Sequence, residues 1–387
     1  MIRLLDTTTH SIASYLDPPS YAIISHVWLP PEIIHTDIID PSIPLSTFTN
    51  PSHPKCISAA KILNSCNTLV RLYKGRVKHL WLDTICIDKR DLTELSTAIN
   101  SMYKWYRYAE VCFVYLADYP SPSVRDFTHS KWFTRGWTLQ ELIAPKSVLF
   151  FDASWNQIGD SDTLQSDLTA RTSIPADFLL GSGNVGRASV SCRMSWAAGR
   201  TVTVEEDIAY CLLGLFGVNM PLLYGEGAEK AFRRLQEEIM RYSDDHSLFA
   251  WKSLHAGSYI REPRGVDVSS SGSGLLAASP DYFASTGEFM YTPSRENNRP
   301  FAVTNKGISI NLYLQRYGHE GLYVASIECK HGPSHYLGIF LRCIDEELQQ
   351  FSRARPEELV RVVAAGKGQL RGIYVKSPDD LSFCRTA

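Results

Sequence analysis

His79-Leu80-Trp81-Leu82-Asp83-Thr84-Ile85-Cys86-Ile87-Asp88 is a compact apolar run closed by acidic residues, and Asp91 and Glu94 just beyond it have the spacing of a helix capping box. The run predicts a buried strand that feeds a long helix. In that helix Leu92, Leu95, Ile99, Met102 and Tyr106 recur every three or four residues, as an inward stripe requires. Upstream, residues 21 to 28 (YAIISHVW) lie between Pro18-Pro19 and Pro30-Pro31 and read as a first strand. Ile57, Ala60, Leu63, Leu69 and Leu72 mark a helix from residue 56 to 73. Downstream, residues 111 to 117 and 147 to 152 are strand-like, with a short helix between them at Trp132-Phe133-Thr134-Arg135-Gly136-Trp137-Thr138-Leu139-Gln140-Glu141-Leu142-Ile143-Ala144-Pro145. Strands alternating with helices in this order predict an α/β fold, a parallel sheet covered on both faces.

The chain has 387 residues, enough for two or three domains. The expected division is an α/β core at 1–155, a helical extension at 156–246 and a β-rich domain at 247–387. Short helical patterns at 164 to 168, 208 to 216 and 228 to 241 fill the extension. Clean alternation at 308 to 314, with strand-like runs at 322 to 327, 336 to 341 and 372 to 375, predicts a small sandwich or barrel. A short helix is expected at 356 to 363, and the Ser/Gly run at 268 to 274 reads as a loop. Residues 181 to 186 spell G-x-G-x-x-G, but no convincing strand precedes them and no acidic residue follows at the required distance, so a surface loop is the better reading.

Hydrophobic content of 44% with 21% charged residues describes an ordinary globular chain. The formal charge is −2, and no Lys/Arg run is long enough for a nucleic-acid or membrane patch. Nine scattered cysteines, odd in number and mostly in apolar runs, read as reduced thiols. Their spacing fits no metal site, no segment is a convincing membrane span, and the expected location is cytoplasmic.

In sheets of this kind ligands bind beyond the carboxyl ends of the strands. Ser25, His26 and Trp28 end the first strand, Asp83 lies late in the second, and the helix around Trp137 and Glu141 sits beside them. Taken singly, each has a plainer explanation: His26 as a satisfied core or loop histidine, Asp83 as a cap, Glu141 as a solvated surface carboxylate. Together they outline a candidate cleft.

Several long blocks carry a family resemblance. Residues 21 to 28, WLDTICIDK from Trp81, AINSMYKWYRYAEVCFVYLAD from Ala98 and RGWTLQELIAP from Arg135 together resemble the fungal heterokaryon incompatibility (HET) domain. Arg193-Met194-Ser195-Trp196 and the stretch from Glu205 to the Gly225-Glu226-Gly227 turn are similar to sequence that commonly trails it. The chain departs from the usual pattern at Leu29, where glycine is common, and at Val204, where arginine is common. The resemblance implies heterokaryon (vegetative) incompatibility: non-self recognition, ending in programmed cell death, through protein partners or self-assembly. HET domains in turn resemble TIR domains, which implies a flavodoxin-like sheet. In many TIR domains a W-C-L-x-E-L helix carries the glutamate of an NAD hydrolase, and Trp137 to Leu142 is similar. On that likeness Glu141 is the candidate catalytic residue. Ser25, His26, Trp28, Asp83, Arg135 and Trp137 are the candidate residues around NAD as substrate, with no resident cofactor and no metal. Trp137 or Trp28 would stack on a ring and Arg135 would meet a phosphate. An inactive structural relative is the plain alternative.

Overall fold

The computed structural model describes residues 1–40, 43–120, 126–181, 183–253, 273–293, 299–318, 321–332, 335–362 and 368–377. Most of the 268 to 274 loop predicted above lies outside them. The chain divides into two compact units, Met1–Val185 with Arg200–Leu222, and Gly186–Gly199 with Leu223–Ala387. Residues 156 to 246, expected as one helical extension, contribute to both.

The first unit is built on a seven-stranded sheet in the order β2-β1-β4-β3-β5-β6-β7. Its strands are β1 (Ile2–Asp6), β2 (Ile12–Tyr15), β3 (Tyr21–His26), β4 (His79–Trp81), β5 (Val111–Tyr115), β6 (Val148–Phe151) and β7 (Gln157–Asp160). The four central strands are parallel, as the alternation predicts: β3 pairs with β4 and β5, and β5 with β6. The flanks are antiparallel, β1 against both β2 and β4, and β7 against β6. Every residue of β3 and β5 is buried, the mark of strands covered on both faces.

Between the strands run α1 (His35–Ile38), α2 (Cys56–Tyr73), α3 (Asp83–Cys86), α4 (Leu92–Tyr108) and α5 (Thr138–Ile143). The run at 79 to 88 is not one strand. It leaves the sheet after Trp81 and turns at Leu82 into α3, whose Thr84, Ile85 and Cys86 are buried. A short buried helix and a buried strand have the same unbroken apolar pattern, so periodicity does not separate them. Asp91 caps α4 by accepting from the Thr93 and Glu94 amides, but Glu94 does not close the expected box; it accepts from the Asp88 amide and pairs with Arg3.

The expected single helix at 132 to 145 is broken. A 3-10 turn, Lys131–Thr134, is separated from α5 by Arg135, which is extended and bridges Thr201. Gly136 permits that approach, since a Cβ there would lie 2.7 Å from Val202 Cγ1. In place of one helix at 208 to 216 there are two short ones, Asp207–Tyr210 and Leu213–Phe216.

The second unit carries the helix Ala228–Tyr242 and an eight-stranded sheet: β8 (Phe289–Tyr291), β9 (Ala302–Thr304), β10 (Gly307–Arg316), β11 (Leu322–His331), β12 (His335–Asp345), β13 (Gln350–Ala354), β14 (Val360–Val362) and β15 (Gln369–Val375). Pairings β10–β11, β11–β12, β12–β13, β13–β15 and β15–β10 close a ring, giving the barrel alternative. Where a helix is expected at 356 to 363, the described residues up to Val362 form instead a turn followed by β14. Arg353 is fully buried in this unit, stacked 3.7 Å over the Trp251 ring and donating to the carbonyls of Phe249 and Trp251.

Helix Leu213–Phe216 packs on α4 through Gly214, where a Cβ would fall 2.0 Å from the Tyr103 Cβ. Gly214→Ala therefore forces the helices apart, and a loss of roughly 1–3 kcal/mol is expected in denaturant titration.

Candidate functional site

Ser25 and His26 are consecutive on β3, so their side chains project to opposite faces of the sheet. Both are buried and both need partners. Ser25 meets the 131 to 143 segment: its hydroxyl donates to Glu141 Oε2 in a short hydrogen bond and accepts from Trp132 Nε1 at 2.7 Å. Glu141 is only 8% exposed, so the solvated-carboxylate alternative is overturned. Burial pushes its carboxyl up to about 8, against the hydrogen bonds from Ser25 and Tyr106 and the charge of Arg135. At neutral pH Glu141 is thus held mostly as the neutral acid.

His26 meets α2 and α3. Its Nδ1 accepts from Lys61 Nζ at 3.0 Å, which leaves the proton on Nε2 to donate to Asp83 Oδ1 at 3.2 Å. Burial and the Lys61 charge both lower its pKa, so the ring stays neutral. Behind it Lys61 Nζ lies 2.7 Å from both oxygens of Glu32, which also accepts from Ser58 and the Leu29 amide. In front, Asp83 accepts from Trp28 Nε1 at 3.0 Å and from Lys89 Nζ at 3.1 Å, and Lys89 sits 3.5 Å over the Trp28 ring. Burial would raise the Asp83 carboxyl, but Lys89 and His26 outweigh it and hold it well below the usual carboxylate range. A line of alternating charge and dipole therefore runs from buried Glu32 to a half-exposed Trp28.

Of the residues predicted from sequence, Ser25 with Glu141 and His26 with Asp83 and Trp28 are brought into direct contact. Trp137 and Arg135 are drawn elsewhere: the Trp137 indole donates to Asp207 and the Arg135 guanidinium to Thr203. Arg200, buried, holds this turn by donating to the Arg135 carbonyl and to Thr138 Oγ1. Glu32, Lys61 and Lys89 were not foreseen. Lys61 was hidden because the stripe assigned to α2 is displaced: Ile57 is 64% exposed, while Ser58, Lys61, Ile62, Ser65, Cys66 and Leu69 face inward. The visible signal was the set of short polar residues flanking that lysine at helical spacing.

Against known proteins, residues 21–124 match the heterokaryon incompatibility protein (HET) family. The chain carries a HET domain. Its β3, α2, α3, α4 and β5, with Ser25, His26, Lys61 and Asp83, all lie inside the matched region. Residues 230–350 match a domain of unknown function, DUF8212. The vegetative incompatibility protein HET-E-1 of Podospora anserina is 45% identical over 233 residues, 57% of this chain and 16% of that protein. The chain thus aligns with about one-sixth of that relative's length. No solved structure gives a significant match. Among the described residues, no helix is long and apolar enough to cross a membrane.

The buried ionisable groups of the first unit carry two predictions. Lys61→Met strands Glu32 in the interior and should cost roughly 3–5 kcal/mol, with most of the loss recovered in the Glu32→Gln, Lys61→Met double variant; denaturant midpoints measure both. Glu141 binds a proton in the folded chain up to about pH 8 but releases it near its ordinary value of 4.5 when unfolded. Its contribution is full below pH 4.5 and is lost as pH rises through 8, a slope of about 1.4 kcal/mol per pH unit at most. Glu141→Gln, which still accepts from Ser25, should remove that slope in melts run from pH 5 to 8.

Proposed function

We propose that this chain acts in fungal heterokaryon (vegetative) incompatibility, as a cytoplasmic protein whose HET domain couples non-self recognition to programmed cell death through protein partners or self-assembly. The observation that carries the proposal is the 45% identity over 233 residues to a vegetative incompatibility protein. The four parallel strands, in the order β4-β3-β5-β6, are consistent with a flavodoxin-like, TIR-like core. In this reading the barrel unit senses or restrains and the HET domain signals.

A second reading, NAD cleavage, is favoured by one observation: Asp83 and Trp28, both partly exposed, stand with Glu141 at the carboxyl ends of the parallel strands. A carboxylate there would stabilise an oxocarbenium-like ribose as nicotinamide leaves. Glu141 is the residue the TIR likeness selects. In its present setting it is a neutral acid bonded to Ser25, so this role requires the 131 to 143 segment to move and the proton to leave.

Expression of the full-length chain in a fungal host should arrest growth, and normal growth at high protein levels would count for an inert relative. If NAD cleavage drives the arrest, purified protein releases nicotinamide and Glu141→Gln abolishes both effects while still melting as a folded protein. Arrest without nicotinamide release, unchanged in Glu141→Gln, assigns the activity to assembly.

A further inference from the structure

The sheet of the first unit ends on two edge strands, β2 and β7, and the two edges are finished differently. β7 is blunted: its ladder to β6 shifts between Phe150 and Phe151, and the Asp160 amide turns away to donate to Thr163 Oγ1 at 3.0 Å. A kinked or charged edge resists the addition of another strand. β2 has neither device. Ser11-Ile12-Ala13-Ser14-Tyr15-Leu16 carries no charge and no proline, and Ala13, Ser14 and Leu16 are exposed.

The pairing of β1 decides which backbone groups of β2 are open. The Asp6 amide donates to the Ser11 carbonyl and the Thr7 amide to the Lys78 carbonyl, so even-numbered residues of β1 face β2 and odd-numbered ones face β4. Leu4 pairs with Ala13, Arg3 with Ser14 and Leu5 with Ile12. Hydrogen-bonded pairs alternate along an antiparallel ladder, so Ala13 commits its amide and carbonyl to Leu4, while those of Ile12 and Ser14 point outward. Among the described residues no further strand meets them.

We propose that β2 is a self-association edge, on which the β2 strand of a second copy of this chain lies antiparallel about a two-fold axis through Ala13. The register is set by the ends of the strand. His10, in the left-handed region at φ 55°, stops it on one side, and the chain bends at Leu16 on the other. Ala13 opposite Ala13 is therefore the register that pairs both open residues, Ile12 of each copy exchanging its backbone hydrogen bonds with Ser14 of the other. The occupant is a second copy because this edge fits itself: methyl meets methyl on the axis, and no like charges face each other, since Arg3, beside Ser14 on β1, is tied to Glu94. β1 and β4 separate the edge from the strand that carries Ser25 and His26, and the association does not depend on the incompatibility reading.

Sedimentation velocity of the full-length chain over a concentration series should show a reversible monomer–dimer equilibrium, as a short interface gives. Ala13→Lys and Ala13→Glu, at an exposed position, should each weaken it by about 10-fold or more because like charges meet on the axis, and an equimolar mixture of the two should restore dimers. Thermal melts establish that each variant is folded. Ala13→Cys brings two sulfurs to the separation of a disulfide, so mild oxidation should cross-link it beyond the wild-type level, whereas Leu16→Cys, about 20 Å from its counterpart in this register, should not. A wild type that stays monomeric throughout the series, charge variants that dimerise as the wild type does, a mixture of them that stays monomeric, or cross-linking no greater at residue 13 than at residue 16 would each overturn the proposal. If a charge variant does not fold, the two cysteine variants decide alone.

Discussion

A central strand buried on both faces that ends in two polar residues constrains everything around it. Ser25 and His26 cannot stay unpartnered inside a protein, since each lost hydrogen bond there costs on the order of 1–3 kcal/mol. Because they point to opposite faces, one partner set must come from each side. Ser25 draws in Trp132 and Glu141, which fixes where the broken segment after β5 crosses the strand ends. His26 draws in Lys61 and Asp83, which orients α2 and the start of α3.

The two partner sets have opposite electrostatic character. On the Ser25 side a single carboxyl is enclosed among Trp132, Tyr106 and Ser25 with no cation in direct contact, and burial favours its neutral form. On the His26 side two carboxylates and two ammonium groups alternate around a neutral imidazole, and each charge has an opposite neighbour. Asp83 therefore stays ionised and partly accessible, while Glu141 is closed off and protonated. One set of strand ends thus presents a fixed anion beside a half-exposed aromatic ring, and next to it a latent acid that only a change of conformation would expose.

Strain against side chains is managed by omitting them. Gly136 lets the 200 to 203 strap lie against the break before α5, and Gly214 lets two helices touch almost backbone to side-chain root. Both belong to the first unit, although residues 200–222 lie far along the chain from its sheet. The second unit solves a different problem. Its strands close on themselves, so few edges remain, and a buried arginine is tolerated because Trp251 stacks on it and two carbonyls accept its hydrogen bonds.

Alternating apolar strands and amphipathic helices, with Pro-bounded ends, were legible without coordinates, because those patterns report burial directly; so were the parallel pairing of the central strands and the β-rich character of the C-terminal part, although not the loss of the helix expected at 356 to 363. The blocks that carry the HET likeness were equally plain. What the chain pattern left open was whether residues 83 to 86 extend a strand or start a helix, since both bury the same side chains. It also misplaced the inward face of α2, because Lys61 is inside only when Glu32 and His26 arrive from elsewhere to neutralise and bond it. In the same way Glu141 is a carboxylate by sequence, but a neutral buried acid by structure. Local sequence sets which segments must be buried; only the tertiary arrangement brings distant polar groups together, and that arrangement decides which of them carry charge.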